Sequence, residues 1–153
     1  MRQLALVMVL VAWGTPARAT VITIGNIDPA GIGGVGPSNI VTRQDPWNVS
    51  GTLTVGDTSF GTLNVTDAGV VNNTSASIGQ GSGVTGVATI NGANSQWNNS
   101  GNLTVGSLGD GTLNVEAGAV VVNEYANLGL YTDATGVATV TGTGSAWNNS
   151  DAM

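Results

Sequence analysis

The stretch WNVSGTLTVG at residues 47–56 returns as WNNSGNLTVG at residues 97–106. Shorter words recur at the same distance: GTLNV at 61–65 and 111–115, GVAT at 86–89 and 136–139, and WNNS at 97–100 and 147–150. When residues 47–96 are aligned with residues 97–146 without a gap, about half of the positions are identical. A fixed long period indicates stacked structural units, because each unit is too small to bury its apolar face alone.

Each 50-residue repeat divides again into two similar segments. The segments begin at LTVG (53–56), ASIG (76–79), LTVG (103–106) and ANLG (126–129). Each continues through a Gly-led run into a third strand-like piece that leads to Asn. Apolar and polar residues alternate within these pieces, and alternation with β-branched residues predicts strands. Gly and Thr are abundant, and both are poor residues for a helix interior.

Three short strands in each segment predict an all-β fold, a parallel β-solenoid (β-helix) of about four turns, two in each 50-residue repeat. An antiparallel β-sandwich is the alternative, since it also has short strands and many turns. The solenoid is favoured because equivalent residues recur in register. The predicted organisation is a signal peptide (1–19), an N-terminal strand and loop cap (20–46), two solenoid repeats (47–96 and 97–150) and a tail (151–153).

Register places equivalent side chains in columns along the solenoid axis. The expected structural stack is Trp47, Val71, Trp97, Val121 and Trp147 in one column and Asn48, Asn72, Asn98, Asn123 and Asn148 in a second. Interior packing is the favoured interpretation of the first column, and the alternative is an outward row of indoles in a glycan-binding module. For the second column we expect a ladder of hydrogen-bonded amides.

Composition excludes several classes of function. The chain has no Cys and no His, which rules out a disulfide, a thiolate nucleophile, a Cys/His metal site and a Ser-His-Asp triad. The formal net charge is −6, and removal of residues 1–19 leaves one Arg and nine acids, or 1 − 9 = −8. The single remaining basic residue, Arg43, cannot neutralise a row of phosphates, and we expect no nucleic-acid partner. We also expect no catalytic residue, no metal and no cofactor.

Asp110 and Asp133 form a weak alternative site. Each lies seven residues after its segment start, at Leu103 and Ala126, which predicts that the two carboxylates stack on adjacent turns. Such a pair would suit acid/base cleavage of a polysaccharide or a weak calcium site. The favoured interpretation is two solvated turn aspartates, because no basic side chain lies nearby in the sequence to orient a substrate.

The two ends of the chain differ from its middle. Residues 1–19 have an early Arg, an apolar run and a small-residue cleavage site, which predicts a signal peptide and export. All four prolines precede Trp47; residues 21–24 look like a strand, residues 25–46 look like loop, and together they are expected to cap the first turn. The last repeat keeps the consensus to its final motif, which favours a truncated array over an open last turn.

Between Trp47 and Ser150 the chain contains four motifs: G-x-L-x-V-G, G-T-L-N-V, A-x-x-G and G-V-A-T-V-x-G-x-G-S-x-W-x-N-S. Together they resemble the repeat shared by type V secretion (autotransporter) passengers and PEP-CTERM surface proteins. The resemblance implies an elongated bacterial β-solenoid, secreted or at the cell surface, with a structural or adhesin-like role. The partners it suggests are an extracellular or cell-surface polysaccharide, a host surface, or a second copy in end-to-end self-association. No membrane-spanning segment is expected after signal cleavage.

The sequence does not explain how the protein would be held at a cell surface. Residues 1–153 show neither the translocating domain of the autotransporters nor the Pro-Glu-Pro sorting signal of the PEP-CTERM proteins. Release and residence in the periplasm are therefore both consistent with the sequence.

Overall fold

A computed structural model describes residues 18–28 and 40–151 of the chain. Regular structure in these residues consists of strands alone, numbered here in chain order. The strands are β1 (Thr20–Gly25), β2 (Ile27–Asp28), β3 (Ile40–Arg43), β4 (Trp47–Asn48), β5 (Thr52–Val55), β6 (Gly61–Thr66), β7 (Val70–Asn73), β8 (Ser75–Ile78), β9 (Thr85–Asn91), β10 (Gln96–Asn99), β11 (Leu103–Val105), β12 (Asp110–Glu116), β13 (Val120–Asn123), β14 (Ala126–Leu128), β15 (Thr135–Thr141) and β16 (Ala146–Asn149).

The strands form three sheets, and each turn of the chain contributes one strand to every sheet. Sheet I has the order β3-β1-β6-β9-β12-β15, sheet II the order β4-β7-β10-β13-β16 and sheet III the order β2-β5-β8-β11-β14. Among the strands β4 to β16 every pairing is parallel and joins strands one turn apart. The predicted parallel β-solenoid of about four turns is confirmed, and the antiparallel β-sandwich is wrong. Turns 1 to 4 begin at β4, β7, β10 and β13, and β16 begins a fifth.

The core consists of the side chains on alternate strand residues. In β6 and β9 burial alternates residue by residue, with Leu63, Val65, Ala88 and Ile90 fully buried. Successive side chains of a strand point to opposite faces, and one face of every strand therefore closes a common interior. The buried apolar residues of all three sheets form one cluster that runs along the axis.

Large and small interior residues alternate from turn to turn. On sheet I the register places Ala88 directly between Leu63 and Leu113, and the same alternation of Leu and Ala recurs on sheet III. Turn 3, which contains Leu113, also contains the large Trp97. Turn 2, which contains Ala88, has the smaller Val71 at the position equivalent to Trp97. Because interiors are close-packed, a wide indole needs small neighbours in the adjacent turns. The sequence therefore repeats every two turns, although the strands pair at every turn.

The corner between sheets III and I has two lengths. We measure this corner between the two glycines that flank it. In turns 1 and 3 it spans residues 56–61 and 106–111, and in turns 2 and 4 it spans residues 79–86 and 129–136. Turns 2 and 4 thus have two extra residues at this corner, while the strands that follow remain in register.

Antiparallel strands from the N-terminal segment cover two of the three strands of the first turn. β1 pairs along the whole of β6, β3 pairs on the other side of β1, and β2 pairs with β5. Asn26, between β1 and β2, accepts hydrogen bonds at Oδ1 from the backbone N–H groups of Asp57 and Thr58, at 2.8 and 3.0 Å. These bonds fasten the N-terminal segment to the corner of turn 1.

The strand predicted at residues 21–24 lies within β1, but the loop expected at 25–46 is wrong in two places, because it contains β2 and β3. Strands of two to four residues are too short to show a clear alternation of apolar and polar residues. Residues 1–17, which hold most of the predicted signal peptide, and residues 29–39 and 152–153 lie outside the described residues. Among those described, no helix has the length and apolar character that crossing a bilayer requires.

Exchanging the sizes of two stacked residues tests the alternating core. Ala88→Leu overpacks the interior and is expected to lower the free energy of unfolding by about 1–3 kcal/mol. Leu113→Ala leaves a cavity and should lower it by about 2–5 kcal/mol. Because the two residues are paired neighbours, the double variant should lose less than the sum, as measured by denaturant unfolding. Strictly additive losses would show that the two side chains do not share one packing space.

Candidate functional site

The column of aromatic and aliphatic residues runs along the inside of sheet II. The register pairs Trp47 with Val71, Val71 with Trp97, Trp97 with Val121, and Val121 with Trp147. Trp97 is fully buried, Trp47 is 9% exposed and Trp147 is partly buried. The structure therefore brings all five residues together in the interior.

This burial bears on the glycan-stacking alternative. A sugar ring stacks on an exposed aromatic face, whereas Trp97 packs between Val71 and Val121 inside the core. Glycan binding through this column would require exposed indole faces that the buried Trp97 lacks.

An asparagine ladder faces outward on sheet II. Asn48, Asn72 and Asn98 are paired in register on three successive turns. Asn72 Nδ2 donates to Asn48 Oδ1 at 2.8 Å, and Asn98 Nδ2 donates to Asn72 Oδ1 at 2.9 Å. We call these three residues the outer ladder.

The predicted asparagine column is wrong at its fourth position. Val122, not Asn123, pairs with Asn98 on one side and with Asn148 on the other. Asn123 pairs instead with Asn149. Successive strand residues point to opposite faces, and Asn123 therefore points inward. Taking the next asparagine along the chain, rather than the next residue of the strand, produced the error, and Val122 ends the outer ladder.

A second set of asparagines, absent from the sequence-based prediction, lies inside sheet II. Asn73 pairs in register with Asn99, and Asn123 pairs with Asn149. The side chains of Asn73, Asn99 and Asn123 are at most 7% exposed. Asn73 Nδ2 donates to Asn99 Oδ1, and Asn123 Nδ2 donates to Asn149 Oδ1 at 2.6 Å. The signal for Asn73, Asn99 and Asn149 is the doublet Asn-Asn, because in a strand one member of a doublet must face inward. Asn123 follows Val122 and is recognised only by lying 50 residues after Asn73.

These inner asparagines hold the tryptophans of the following turn. Trp97 Nε1 donates to Asn73 Oδ1 at 2.7 Å, and Trp147 Nε1 donates to Asn123 Oδ1 at 2.6 Å. Asn73 Nδ2 also donates to the backbone carbonyl of Ser75 at 2.6 Å, so both ends of this buried amide are engaged. Leaving a buried polar group unpaired costs about 1–3 kcal/mol. The indole–amide bond therefore ties each of these large side chains to the turn before it.

A shallow trough of about 530 Å³ lies along the outer ladder. Its lining is Asn48, Val49, Ser50, Asn72, Asn73, Asn98, Asn99 and Ser100, none of them charged. A primary amide has two donor hydrogens and an oxygen that accepts twice, and each bond of the ladder uses one donor and one acceptor position. Most of the accessible lining of the trough is apolar, and its polar groups are the remaining amide positions of the outer ladder and the hydroxyls of Ser50 and Ser100.

Asp110 and Asp133 do not stack on adjacent turns. Asp110 pairs with Thr85 on one side and with Thr135 on the other. Asp133 lies in the longer corner of turn 4, where its φ is 67°, close to the 68° of Gly83 in turn 2. Because that corner has two extra residues, residues that lie equally far after Leu103 and Ala126 do not occupy equivalent positions in turns 3 and 4. Both side chains are exposed, and the pair predicted for cleavage or calcium binding is wrong in its geometry.

Two ionisable groups near the ends of the solenoid are tied to their neighbours. The guanidinium of Arg43 lies over the ring of Trp47, 4.7 Å from its centroid, and burial lowers the pKa of Arg43 from its usual value. Tyr125 donates from its hydroxyl to Asp151 Oδ2 at 2.6 Å. This bond raises the pKa of Tyr125, and the negative charge of Glu124 acts in the same direction. Within residues 18–28 and 40–151, no three acidic side chains are grouped so as to hold a metal ion.

Replacing adjacent asparagines of β7 separates the inner and outer roles. Asn73→Ala leaves the Trp97 N–H without its acceptor and should lower the free energy of unfolding by about 1–3 kcal/mol. Asn72→Ala removes outward bonds that water can replace and should cost about 0.5 kcal/mol. Denaturant unfolding followed by tryptophan fluorescence measures both losses. Equal losses would contradict the assignment of one asparagine to the interior and the other to the surface.

No protein-family model matches the chain, and no curated protein or solved structure is significantly similar to it.

Proposed function

We propose that the protein is a secreted or cell-surface β-solenoid with a structural or adhesin-like role and without enzymatic activity. The observation that carries the proposal is the continuous interior, in which Leu63, Ala88 and Leu113 stack fully buried through three turns. Hydrogen-bonded ladders on three sheets run beside this interior and join each turn to the next. A rod braced in this way suits a role that depends on shape, such as a spacer or a repeated contact surface.

The outer face of sheet I supports a role in surface contact. It presents two columns of uncharged side chains: Thr62, Val87, Thr112 and Val137, and beside them Asn64, Thr89, Asn114 and Thr139. Members of a column are about 4.8 Å apart along the axis. Methyl, hydroxyl and amide groups at this spacing form a regular surface for an uncharged polymer. A polyanion would be repelled by the net charge of −6.

Secretion is supported by two features of the sequence. The leader-like pattern of residues 1–19 directs export in other proteins. The repeat between Trp47 and Ser150 resembles that of surface-protein passengers. A location outside the cytoplasm, whether extracellular, surface-bound or periplasmic, follows from both.

Cell fractionation tests the proposed location. A chain with residues 1–19 should be found outside the cytoplasm with its N-terminus near Thr20, as read by mass spectrometry of the intact protein. A chain that starts at Met followed by Thr20 is the matched control and should stay in the cytoplasm. Recovery of the unprocessed full chain from the cytoplasm would contradict secretion.

A bead-binding assay tests the adhesin-like role. Beads coated with the protein should bind cells or immobilised neutral polysaccharide, and beads coated with Gly86→Ala should not. A Cβ at residue 86 would collide with the carbonyl oxygen of Val55 and the backbone nitrogen of Gly79, so this variant cannot keep the corner. Equal binding by both proteins would show that the intact solenoid surface is not responsible.

A glycan-binding module is a second candidate, and the trough along the outer ladder is the observation that favours it. Its uncharged, mostly apolar lining with a few amide and hydroxyl groups suits a neutral sugar ring and its hydroxyls, with no need for an exposed indole. Asn72→Ala should weaken binding of a neutral oligosaccharide about tenfold in calorimetry, or about 1.4 kcal/mol. Thr112→Ala on the outer face of sheet I is the control and should bind like the wild type. Equal affinities of the two variants for the oligosaccharide would show that the trough is not the binding site.

A further inference from the structure

A cavity lies at the edge of sheet I where β1 pairs with β3, and we call it the Arg43 cavity. Its volume is about 490 Å³, within the range of about 300–1,000 Å³ that is typical of small-molecule sites. Its lining comes from the start of β1 and the end of β3, which meet in register at Val21 and Arg43. The lining residues are Arg18, Ala19, Thr20, Thr42, Arg43, Gln44 and Asp45.

The positive charge of the described residues is concentrated at this cavity. Arg18 and Arg43 are the basic residues within 18–28 and 40–151, and both line it. The chain has nine acidic residues, and one of them, Asp45, is in the lining. The lining therefore has a net charge of 2 − 1 = +1, although the whole chain has a net charge of −6.

Two contacts hold the Arg43 side chain in place. Its Nε donates to Thr23 Oγ1 at 3.0 Å, and its guanidinium carbon lies 4.7 Å from the ring centroid of Trp47. A guanidinium has five N–H donors in one plane, and the bond from Nε uses one of them. Within the described part of the chain this is the single side-chain hydrogen bond that Arg43 donates. The N–H donors of its two terminal NH₂ groups therefore remain for another acceptor.

The charge of Arg43 is partly desolvated without being neutralised. Burial lowers the pKa of Arg43, and no carboxylate of the described residues acts against this shift. Asp45 is engaged elsewhere, because its Oδ1 accepts a hydrogen bond from the Val70 N–H at 2.7 Å. Removing a charge from water is unfavourable, and a charge away from solvent therefore usually has a partner of opposite sign. An anion that enters the cavity would supply that partner.

We propose that the Arg43 cavity binds a small carboxylate that also carries hydroxyl groups, such as a sugar acid. The guanidinium of Arg43 is a planar fork that matches the two oxygens of a carboxylate. Thr42 and Gln44 are in the same lining, and their side chains can exchange hydrogen bonds with hydroxyl groups. This site does not depend on the proposed surface role, since it follows from the cavity and its charge.

The acidity of the rest of the molecule restricts the ligand to a small one. Of the nine acidic residues, all except Asp45 lie outside the lining, 9 − 1 = 8. These carboxylates repel a polymer that carries many negative charges. A single carboxylate inside the cavity lies beside two positive groups and one negative group. The site therefore suits a monomer or the end of a chain rather than an extended polyanion.

Removal of residues 1–19 would exchange one of the two positive groups. Arg18 belongs to the segment that is lost, and Thr20 would then carry the new α-ammonium group. Thr20 lines the same cavity, and the lining keeps two positive groups at neutral pH. We therefore expect the full chain and the processed chain to bind the same ligand. This step rests on the proposed secretion, whereas the role of Arg43 does not.

Calorimetric titration with glucuronate and with glucose tests the site. The two probes share one ring and differ by a carboxylate in place of a hydroxymethyl group. At matched ionic strength, glucuronate should bind at least about tenfold more tightly than glucose, because only glucuronate pairs with the guanidinium. Mass spectrometry of the intact protein identifies whether Arg18 or the α-ammonium of Thr20 is present. Equal binding of the two probes, or binding of neither, would overturn the proposal.

Substitutions with opposite effects on the local charge assign the binding to this cavity. Arg43→Gln removes the guanidinium and should weaken glucuronate binding about tenfold. Asp45→Asn removes the negative charge of the lining but keeps the oxygen that accepts from the Val70 N–H, and it should strengthen binding. Asp133→Asn, in the exposed corner of turn 4, changes the net charge equally and should bind like the wild type. Unchanged affinity of Arg43→Gln, or equal effects of the two Asp variants, would contradict the assignment.

Tryptophan fluorescence gives a second readout at the same place. The guanidinium of Arg43 lies over the Trp47 ring, and an anion bound to it changes the charge beside this indole. Glucuronate should therefore change the fluorescence of the wild-type protein in a saturable way. Trp47→Phe keeps an aromatic face under the guanidinium and should bind glucuronate in calorimetry with the fluorescence change largely lost. A fluorescence change of the same size in Trp47→Phe would place the bound anion away from Arg43.

Discussion

Parallel main-chain pairing between successive turns is the interaction on which the rest of the structure depends. It places every side chain beside its counterpart one turn away, as Leu63, Ala88 and Leu113 show on sheet I. Neighbours in a column must then share space, which requires the alternation of large and small residues. They also share hydrogen bonds, which produces the asparagine ladder outside sheet II. Within the described residues the edge strands of the three sheets are β3, β4 and β2 at one end and β15, β16 and β14 at the other.

The buried indole–amide bonds make the register specific. A slip of one residue in a strand turns every side chain to the opposite face. In β7 such a slip would bring Asn72 inside and take Asn73, the acceptor of the Trp97 N–H, out of the core. The loss of that bond in a dry interior opposes the slip more strongly than aliphatic packing alone would, because aliphatic side chains accept many arrangements. Polar residues inside sheet II thus contribute to specificity as well as to stability.

Much of the fold was predictable because a repeat of constant length, aligned without a gap, shows directly which residues pair in register. The even spacing of Trp47, Trp97 and Trp147 placed all three in one column, and the structure agrees. Asn123 was misplaced because the next asparagine was taken in place of Val122, the residue that lies 50 positions after Asn72. Asp133 was misplaced because the corner that contains it is two residues longer than the corner before Asp110. The role of Asn73 as hydrogen-bond acceptor for the Trp97 N–H was not predicted, because a polar side chain is expected to face solvent unless a buried donor is known to need it.

The most direct test of the register is disulfide mapping within one chain, because the protein has no cysteine of its own. Thr89 and Asn114 are register partners on the outer face of sheet I, with Cα atoms about 4.8 Å apart, within the range that a disulfide spans. The double variant Thr89→Cys, Asn114→Cys should form an intramolecular disulfide readily under mild oxidation. The displaced pair Thr89→Cys, Thr112→Cys should keep its free thiols under the same conditions. A disulfide in the displaced pair, with free thiols in the first, would contradict the register and with it the solenoid described here.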